Sequence, residues 1–456
     1  MPNSSKDQES EVTMKGMLSL AFPIIVIHVA LVAMQFADAW MVGILGADAL
    51  AAILPAGLVF FVPISFGMGL LGAVSTFTSQ SLGSGTKKDC GDYTWQGIWV
   101  GLLLGVLILM TWWAAPALFG LFDHEPRVQA LEVVYYRIML FGAIPQLVLL
   151  AVSNFFIGIH RTQILAWTAV GATILNILLN YVLIFGHAGF PELGFAGAAW
   201  GTVIALCVQC SVLFCGFLFF GDPKIFGTRR VQVHPKRMWD LLKVGVPSGF
   251  QIGLELLSWS VALVWMVGLF GTLHLAATTI GVRLMHLSFM PPAALAIVLT
   301  AMVGKSVGQG NIERAQRQVV LALKLCCFYM GGIGLLFFFG RYALPGLFTD
   351  DPEVIQIAAG VMICVAAFQL FDAMNIVFIH ALKGAGDTFW PAVVTLLICC
   401  VVFIGGGLVV VYWIPSWGSW GIWTMGTSYL ILLSGFMALR WYSGKWKQIK
   451  LLENAQ

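Results

Sequence analysis

A chain of 456 residues that is 59% hydrophobic and only 10% charged cannot be a water-soluble globule, because soluble domains carry about 25% charged residues. The net charge of +3 is too small to point to nucleic acid. The composition instead gives an all-α polytopic membrane protein. Segment 1–16 is polar. The apolar stretch after it is too long for a signal-peptide core and has no small-residue cleavage site, so it counts as a membrane span.

A spanning helix needs about 20 apolar residues. Twelve runs meet this, in chain order at about 17–42, 50–80, 94–119, 128–158, 164–186, 194–220, 243–268, 274–303, 318–345, 355–382, 389–413 and 421–440. The second six repeat the first. Met41-Val-Gly43 answers Met266-Val-Gly268, Ser81-Leu-Gly-Ser-Gly85 answers Ser306-Val-Gly-Gln-Gly310, and Gly120-Leu-Phe with Pro126 answers Gly346-Leu-Phe with Pro352. An even number of spans per copy puts both copies in the same orientation. The expected architecture is therefore 12 transmembrane helices in two pseudo-symmetric six-helix bundles related as a parallel repeat. The divisions are a tail at 1–16, a first lobe at 17–220, a linker at 221–240, a second lobe at 241–442 and a tail at 443–456.

Nineteen of the 24 Lys and Arg fall on the side of the membrane that holds both tails and the loops after even-numbered spans. Only Arg127 and Arg341 fall on the other. The excess places both termini and the 221–240 linker in the cytoplasm, and the protein in the cell (inner) membrane.

Three acids lie well inside spans: Asp38, Glu255 and Asp372. A carboxylate in hydrocarbon costs about 2.5–3.5 kcal/mol on the insertion scale, so such residues usually face a cavity and mark ion or proton pathways. The alternative is a buried acid paired for stability. Arg283 is the deepest cation, with His286 three residues on. Glu255, Asp372 and Arg283 are expected as one group in the second lobe, unless Arg283 snorkels to the interface. Asn176 and Asn180 stand at i and i+4, on one helix face. With Thr202 they offer neutral oxygens near Asp38, or else only a hydrogen-bonded helix interface.

Of nine cysteines, only Cys90 is expected in a loop. Cys207-x-x-Cys210 has a redox spacing but no companion ligands, and reads as two small packing residues. Gly384-Ala-Gly-Asp387, with Asp372, loosely matches an intramembrane aspartyl protease, although Asp387 falls in a loop. HExxH, P-loop and GxSxG motifs are absent. Transport without nucleotide hydrolysis must be driven by a gradient.

Phe36-Ala-Asp38-Ala-Trp-Met-Val-Gly43, Pro191-Glu-Leu-Gly194 ahead of Gly197-Ala-Ala, Pro247 with Glu255 eight residues on, and Leu382-Lys-Gly-Ala-Gly-Asp-Thr388 together resemble the multidrug and toxic compound extrusion (MATE) family, NorM-type branch. The resemblance runs from about Leu18 to Arg440. It implies two six-helix bundles forming a V-shaped cleft, and export of amphipathic organic cations against inward Na+ or H+. On this chain Asp38 would be the coupling carboxylate of the first lobe, with Glu255 and Asp372 the cation site of the second. Phe368 stands where sodium-coupled relatives carry a Tyr, Arg283 where a neutral polar residue is usual, and Asn180 where some members have an Asp. These departures weaken a Na+ site and leave H+ at least as well placed.

The expected function is thus a cation-coupled antiporter, not an enzyme, exporting amphipathic cationic compounds by alternating access. Asp38, Glu255 and Asp372 carry the coupling, with any Na+ held transiently at Glu255 and Asp372. Gln35, Phe36, Met285 and Phe368 are candidate cleft residues, since aromatic and Met side chains suit flat cations. No cofactor beyond the coupling ion and no nucleic-acid partner is expected, and the chain is expected to act as a monomer in the lipid bilayer. The rivals are a flippase of a lipid-linked precursor, which would need a strongly cationic cleft, and the protease.

Overall fold

The computed structural model describes residues 13–122 and 124–452. Among them there are helices and connecting turns and no strand. The spans are α1 (Met14–Ile44), α2 (Ala47–Ser84), α3 (Asp89–Phe122), α4 (Pro126–Leu140 continued by Ala143–Gly158), α5 (Gln163–Phe185), α6 (Phe195–Phe220), α7 (Pro235–Met266), α8 (Thr272–Gly308), α9 (Ile312–Phe339), α10 (Pro352–Ala385), α11 (Phe389–Trp413) and α12 (Pro415–Tyr442). Eleven are single helices long and apolar enough to cross a membrane, and the pair that makes α4 is bent by 47° at its break. Half of the helices overrun the apolar runs that reveal them by a turn or more at one end, because capping turns are polar while still helical. Cys90 accordingly lies in the first turn of α3 rather than in a loop, buried, with its Sγ donating to Thr78 O at 3.3 Å.

The solvent pattern is inverted relative to a soluble protein. Large apolar side chains point outward, as with Phe328 at 87% and Trp413 at 82% exposure. The inner face of α2 is instead made of Gly67, Gly69, Ala73, Ser75, Thr76, Thr78 and Ser79, all buried. In lipid no hydrophobic force drives helices together, so close approach of small residues and shared hydrogen bonds must do it.

The chain divides into two compact units. One is Ser19–Gly249; the other is Phe250–Gln456 with the segment ending at Leu18. In the first, α2 packs on α3 and α4, and α5 packs on α6. Three side chains tie α5 to α1: Thr162 Oγ1 donates to Leu20 O at 3.0 Å, Thr173 Oγ1 to Ala30 O at 3.4 Å, and Asn180 Nδ2 to Asp38 Oδ1 at 2.5 Å. Both partners advance together along the chain, so α1 and α5 run parallel. The segment before α7 is pinned to α3 by Trp95 Nε1 on Thr228 O at 2.8 Å and Gln96 Nε2 on Gln232 O at 3.0 Å. Arg237, in the first turn of α7, pairs with Asp89 at 2.8 Å and with Asp92.

In the second unit α10 is central. It packs against α8, α9 and α12. The repeat-related partner of the α1–α5 pair is α7–α11, tied by Gln251 Nε2 on Thr395 Oγ1 at 3.2 Å and by Trp259 against Phe403 with centroids 4.7 Å apart. Both helices loosen into π-helical turns, Val261–Met266 and Cys399–Gly405. Such turns recur at functional sites, and Glu255 lies just ahead of the first.

Candidate functional site

Each unit holds one cluster around the buried acids. In the first unit the polar chain runs Asp38, Asn180, Asn176, Thr202. Asn180 Nδ2 also reaches Asn176 Oδ1 at 3.4 Å, and Asn176 Nδ2 donates to Thr202 Oγ1 at 3.2 Å. Both asparagines are 0% exposed and Asp38 is half-buried. Spacing of four residues on α5 puts both amides on the face turned to α1 and α6. Asn180 Oδ1 is buried with no hydrogen-bond donor among the described residues. An acceptor left open next to a carboxylate is chemically suited to a proton carrier or a small cation. Tyr135 of α4, 6% exposed, lies within electrostatic reach of Asp38. It has no signal in the sequence, because its placement depends on how α4 bends.

Gly201 makes room for this arrangement. A Cβ there would lie 2.0 Å from Asn180 Oδ1, and Asn180 cannot yield without turning its amide away from Asp38. Gly201→Ala is expected to lose about 1.5–3 kcal/mol, the worth of a hydrogen bond to a charged group. Thermal unfolding of the purified protein reads this. The loss should vanish when Gly201→Ala is made on an Asn180→Ala background, and a loss of the same size there would count against the mechanism.

In the second unit Glu255 of α7 is half-buried and accepts from Tyr429 Oη of α12 at 2.9 Å. Asp372 of α10 is 9% exposed and within electrostatic reach of Glu255. Around them are Gln369, whose Nε2 donates to Ser288 Oγ at 2.8 Å, and the buried Asn375. Gln251 Oε1, Gln369 Oε1 and Asn375 Oδ1 are buried without a hydrogen-bond partner among the described residues. The cluster therefore holds two carboxyl groups and several free neutral acceptors, and a cation or a proton is what such a set lacks.

The structure corrects the expected membership of this group. Arg283 and His286 are exposed and make no hydrogen bond or ion pair among the described residues, so Arg283 joins neither Glu255 nor Asp372. Depth along a span does not say which face a residue occupies. A cation within electrostatic reach of Glu255 is Lys383, half-buried at the end of α10. Phe368 also leaves the cleft list. It is 1% exposed and stacks on Trp423 with centroids 6.4 Å apart, so it packs the interior of the unit. Gln35 and Phe36 are exposed, the latter by 75%, and Met285 is half-buried.

Two further carboxylates each meet a basic side chain. Glu132 of α4 is 0% exposed and meets His124 Nδ1 at 2.7 Å; its place at the start of the 128–158 run gave no sign of its burial. Asp387 accepts from Arg440 Nε at 2.7 Å. It lies 15 residues beyond Asp372 along one helix and its cap, about 20 Å away at 1.5 Å per residue. Two aspartates that far apart on one rigid element cannot share a catalytic water, so Asp372 and Asp387 do not form an aspartyl-protease dyad.

The two acid sites are not repeats of one another. At the repeat offset Asp38 corresponds to Leu263, Glu255 to Ala30, and Asp372 to Gln146. The halves share a scaffold and differ in chemistry.

Comparison with known proteins agrees with the doubled scaffold. The MatE family model matches the chain twice, at residues 23–182 and 247–408. The Probable multidrug resistance protein NorM of Rhizobium meliloti is 30% identical over 400 residues, covering 84% of this chain and 83% of that protein. The Multidrug resistance protein PmpM of Pseudomonas aeruginosa is 29% identical over 408 residues, covering 88% and 83%. Among solved structures, a MATE protein in its bent conformation aligns with a TM-score of 0.85 at 21% identity, and the eukaryotic MATE transporter AtDTX14 with 0.83 at 20%, each covering 95% of this chain and 96% of the other. At that identity the structures speak to the fold alone. The double family match and the 30% identical relative speak to descent, and on them the chain belongs to the MatE family, in its NorM-type branch.

Proposed function

We propose that this protein is an inner-membrane antiporter that exports amphipathic organic cations against an inward flow of H+ or Na+, with Asp38 coupling in the first half and Glu255 and Asp372 in the second. The observation that carries the reading is the pair of buried acid clusters: Asp38 held by Asn180 at 2.5 Å, and Glu255 held by Tyr429 at 2.9 Å. Keeping carboxyl groups away from water is costly, and both clusters retain unpartnered acceptors where a bound ion would recover the cost. The multidrug names of the relatives support the substrate class. Coupling follows from linkage: an ion that binds one conformation better than the other shifts the equilibrium by its differential affinity, and the substrate shifts it back. The cytoplasmic placement of both ends and a monomeric working form belong to the same proposal.

The test is export of a fluorescent cationic dye by purified protein in liposomes, with a Na+ gradient and a pH gradient imposed separately. One of them should drive dye accumulation on the trans side. No accumulation with either gradient, for several amphipathic cations, would overturn the reading and bring the flippase forward.

A further inference from the structure

Asp372 has a neutral oxygen about one turn to either side of it on α10. Gln369 and Asn375 stand three residues before and three after it, so each lies about 60° around the helix from Asp372 and all three share one sector. Gln369 is 1% and Asn375 5% exposed, and Gln369 Oε1 and Asn375 Oδ1 have no hydrogen-bond partner among the described residues. The Gln369 amide is turned this way by α8. Ser288 Oγ donates to Met285 O at 2.7 Å. A hydroxyl has one hydrogen, so the Ser288 oxygen can only accept, and Gln369 Nε2 donates to it at 2.8 Å. The carbonyl end of the amide is therefore the free end. The stem of Gln369 is packed against α9, where a Cβ on Gly334 would lie 3.4 Å from Gln369 Cβ. Side chains on a helix lean toward its N-terminus, which brings the Asp372 carboxylate over the turn that carries Gln369. The scaffold does not need these groups. At the repeat offset Gln369, Asn375 and Ser288 correspond to Ala143, Leu149 and Pro63.

We propose that Gln369, aimed by Ser288, is the residue that admits Na+ to the second cluster: its carbonyl oxygen coordinates a Na+ bound at the Asp372 carboxylate. The proposal rests on the coupling role of Asp372 given above. A proton is satisfied by one carboxyl oxygen. A Na+ sheds water on entering and needs several oxygens in its place, and the number and dipole strength of the carbonyls around an ion decide which ion is taken. A buried amide oxygen without a partner costs free energy, and a bound Na+ recovers it. Ser288 touches no ion. It is a positioning residue: without its acceptor oxygen the amide is free to turn and present N–H groups, which repel a cation.

The probe is radioactive Na+, bound to purified full-length protein in alkaline buffer without dye. Gln369→Leu and Gln369→Met keep most of the side chain's bulk and remove its oxygen. Each should bind Na+ about tenfold more weakly than the unsubstituted protein, within the range for losing one polar contact to a charged group. Ser288→Ala should weaken binding by less, and adding it to Gln369→Leu should change nothing further, because Ser288 acts only through the amide. A merely structural Gln369 or Ser288 would lower the thermal midpoint without moving Na+ affinity. Unchanged affinity in both Gln369 variants, a further loss when Ser288→Ala is added to Gln369→Leu, or no saturable Na+ binding by the unsubstituted protein overturns the proposal. Dye export is read separately. If the Gln369 effect is present while neither gradient drives export, the transport reading fails and the Na+ site stands. If a pH gradient drives export and Na+ does not bind, the transport reading stands and this proposal fails.

Discussion

Glu255→Gln is expected to cut gradient-driven dye accumulation by about 100-fold, toward the upper end of coupling free energies of 1–3 kcal/mol, while leaving the protein folded. Gln has the shape of Glu, and its carbonyl oxygen can still accept the Tyr429 Oη hydrogen bond seen at 2.9 Å. What disappears is a charge that an ion can neutralise. A transporter without that differential can still cycle, so the dye should equilibrate down its own gradient but no longer be driven uphill. The two behaviours are separated by comparing downhill exchange with gradient-driven accumulation in the same liposomes. Loss of both would mean that the substitution damaged the fold, and the thermal midpoint would show it. Retention of full accumulation would move the coupling to Asp38 and leave Glu255 as a structural acid.

What the sequence reveals and what it hides divide along one physical line. Features fixed by position along a single helix are legible. Asn176 and Asn180 share a face because four residues are about one turn, and their meeting with Asp38 and Thr202 follows from which spans are neighbours in a repeat. The doubled family match falls where the 225-residue offset of Met41-Val-Gly43 and Met266-Val-Gly268 puts the halves. Features fixed by the rotation of a helix, or by a side chain's reach, are hidden. Arg283 reads as part of the acid group because it is ten or so residues into a span, yet its side chain is exposed and meets neither acid. Lys383 reads as a loop residue because hydropathy ends before the helix does, yet α10 continues to Ala385. Tyr429 comes to Glu255 from 174 residues away, and one hydroxyl in a long apolar span carries no spacing that would announce it.

The largest stability effect is expected at the other end of the same helices. The Gly384-Ala-Gly-Asp387 stretch, which resembles a protease motif, is a helix stop. Gly386 takes φ +90, and the Asp387 N–H returns to Leu382 O at 2.9 Å. This is the Schellman pattern, in which glycine accepts the left-handed conformation other residues resist. The turn aims the Asp387 carboxylate at Arg440 of α12, whose guanidinium also lies 5.3 Å from the Trp390 ring. The side chains are 4% and 17% exposed. Removing one partner of a buried pair leaves the other charge uncompensated, which costs about 3–5 kcal/mol. Asp387→Asn should fall near the lower bound, since Arg440 keeps some solvent. Arg440→Gln should cost a similar amount. The double variant should cost less than the sum, because no orphaned charge remains. Thermal or denaturant unfolding in micelles measures all three. If Asp387→Asn costs under about 1 kcal/mol, the pair is behaving as a solvated surface bridge. The link it provides between α10, which carries Asp372 and Lys383, and α12, which carries Tyr429, would then not be what holds the second cluster in register.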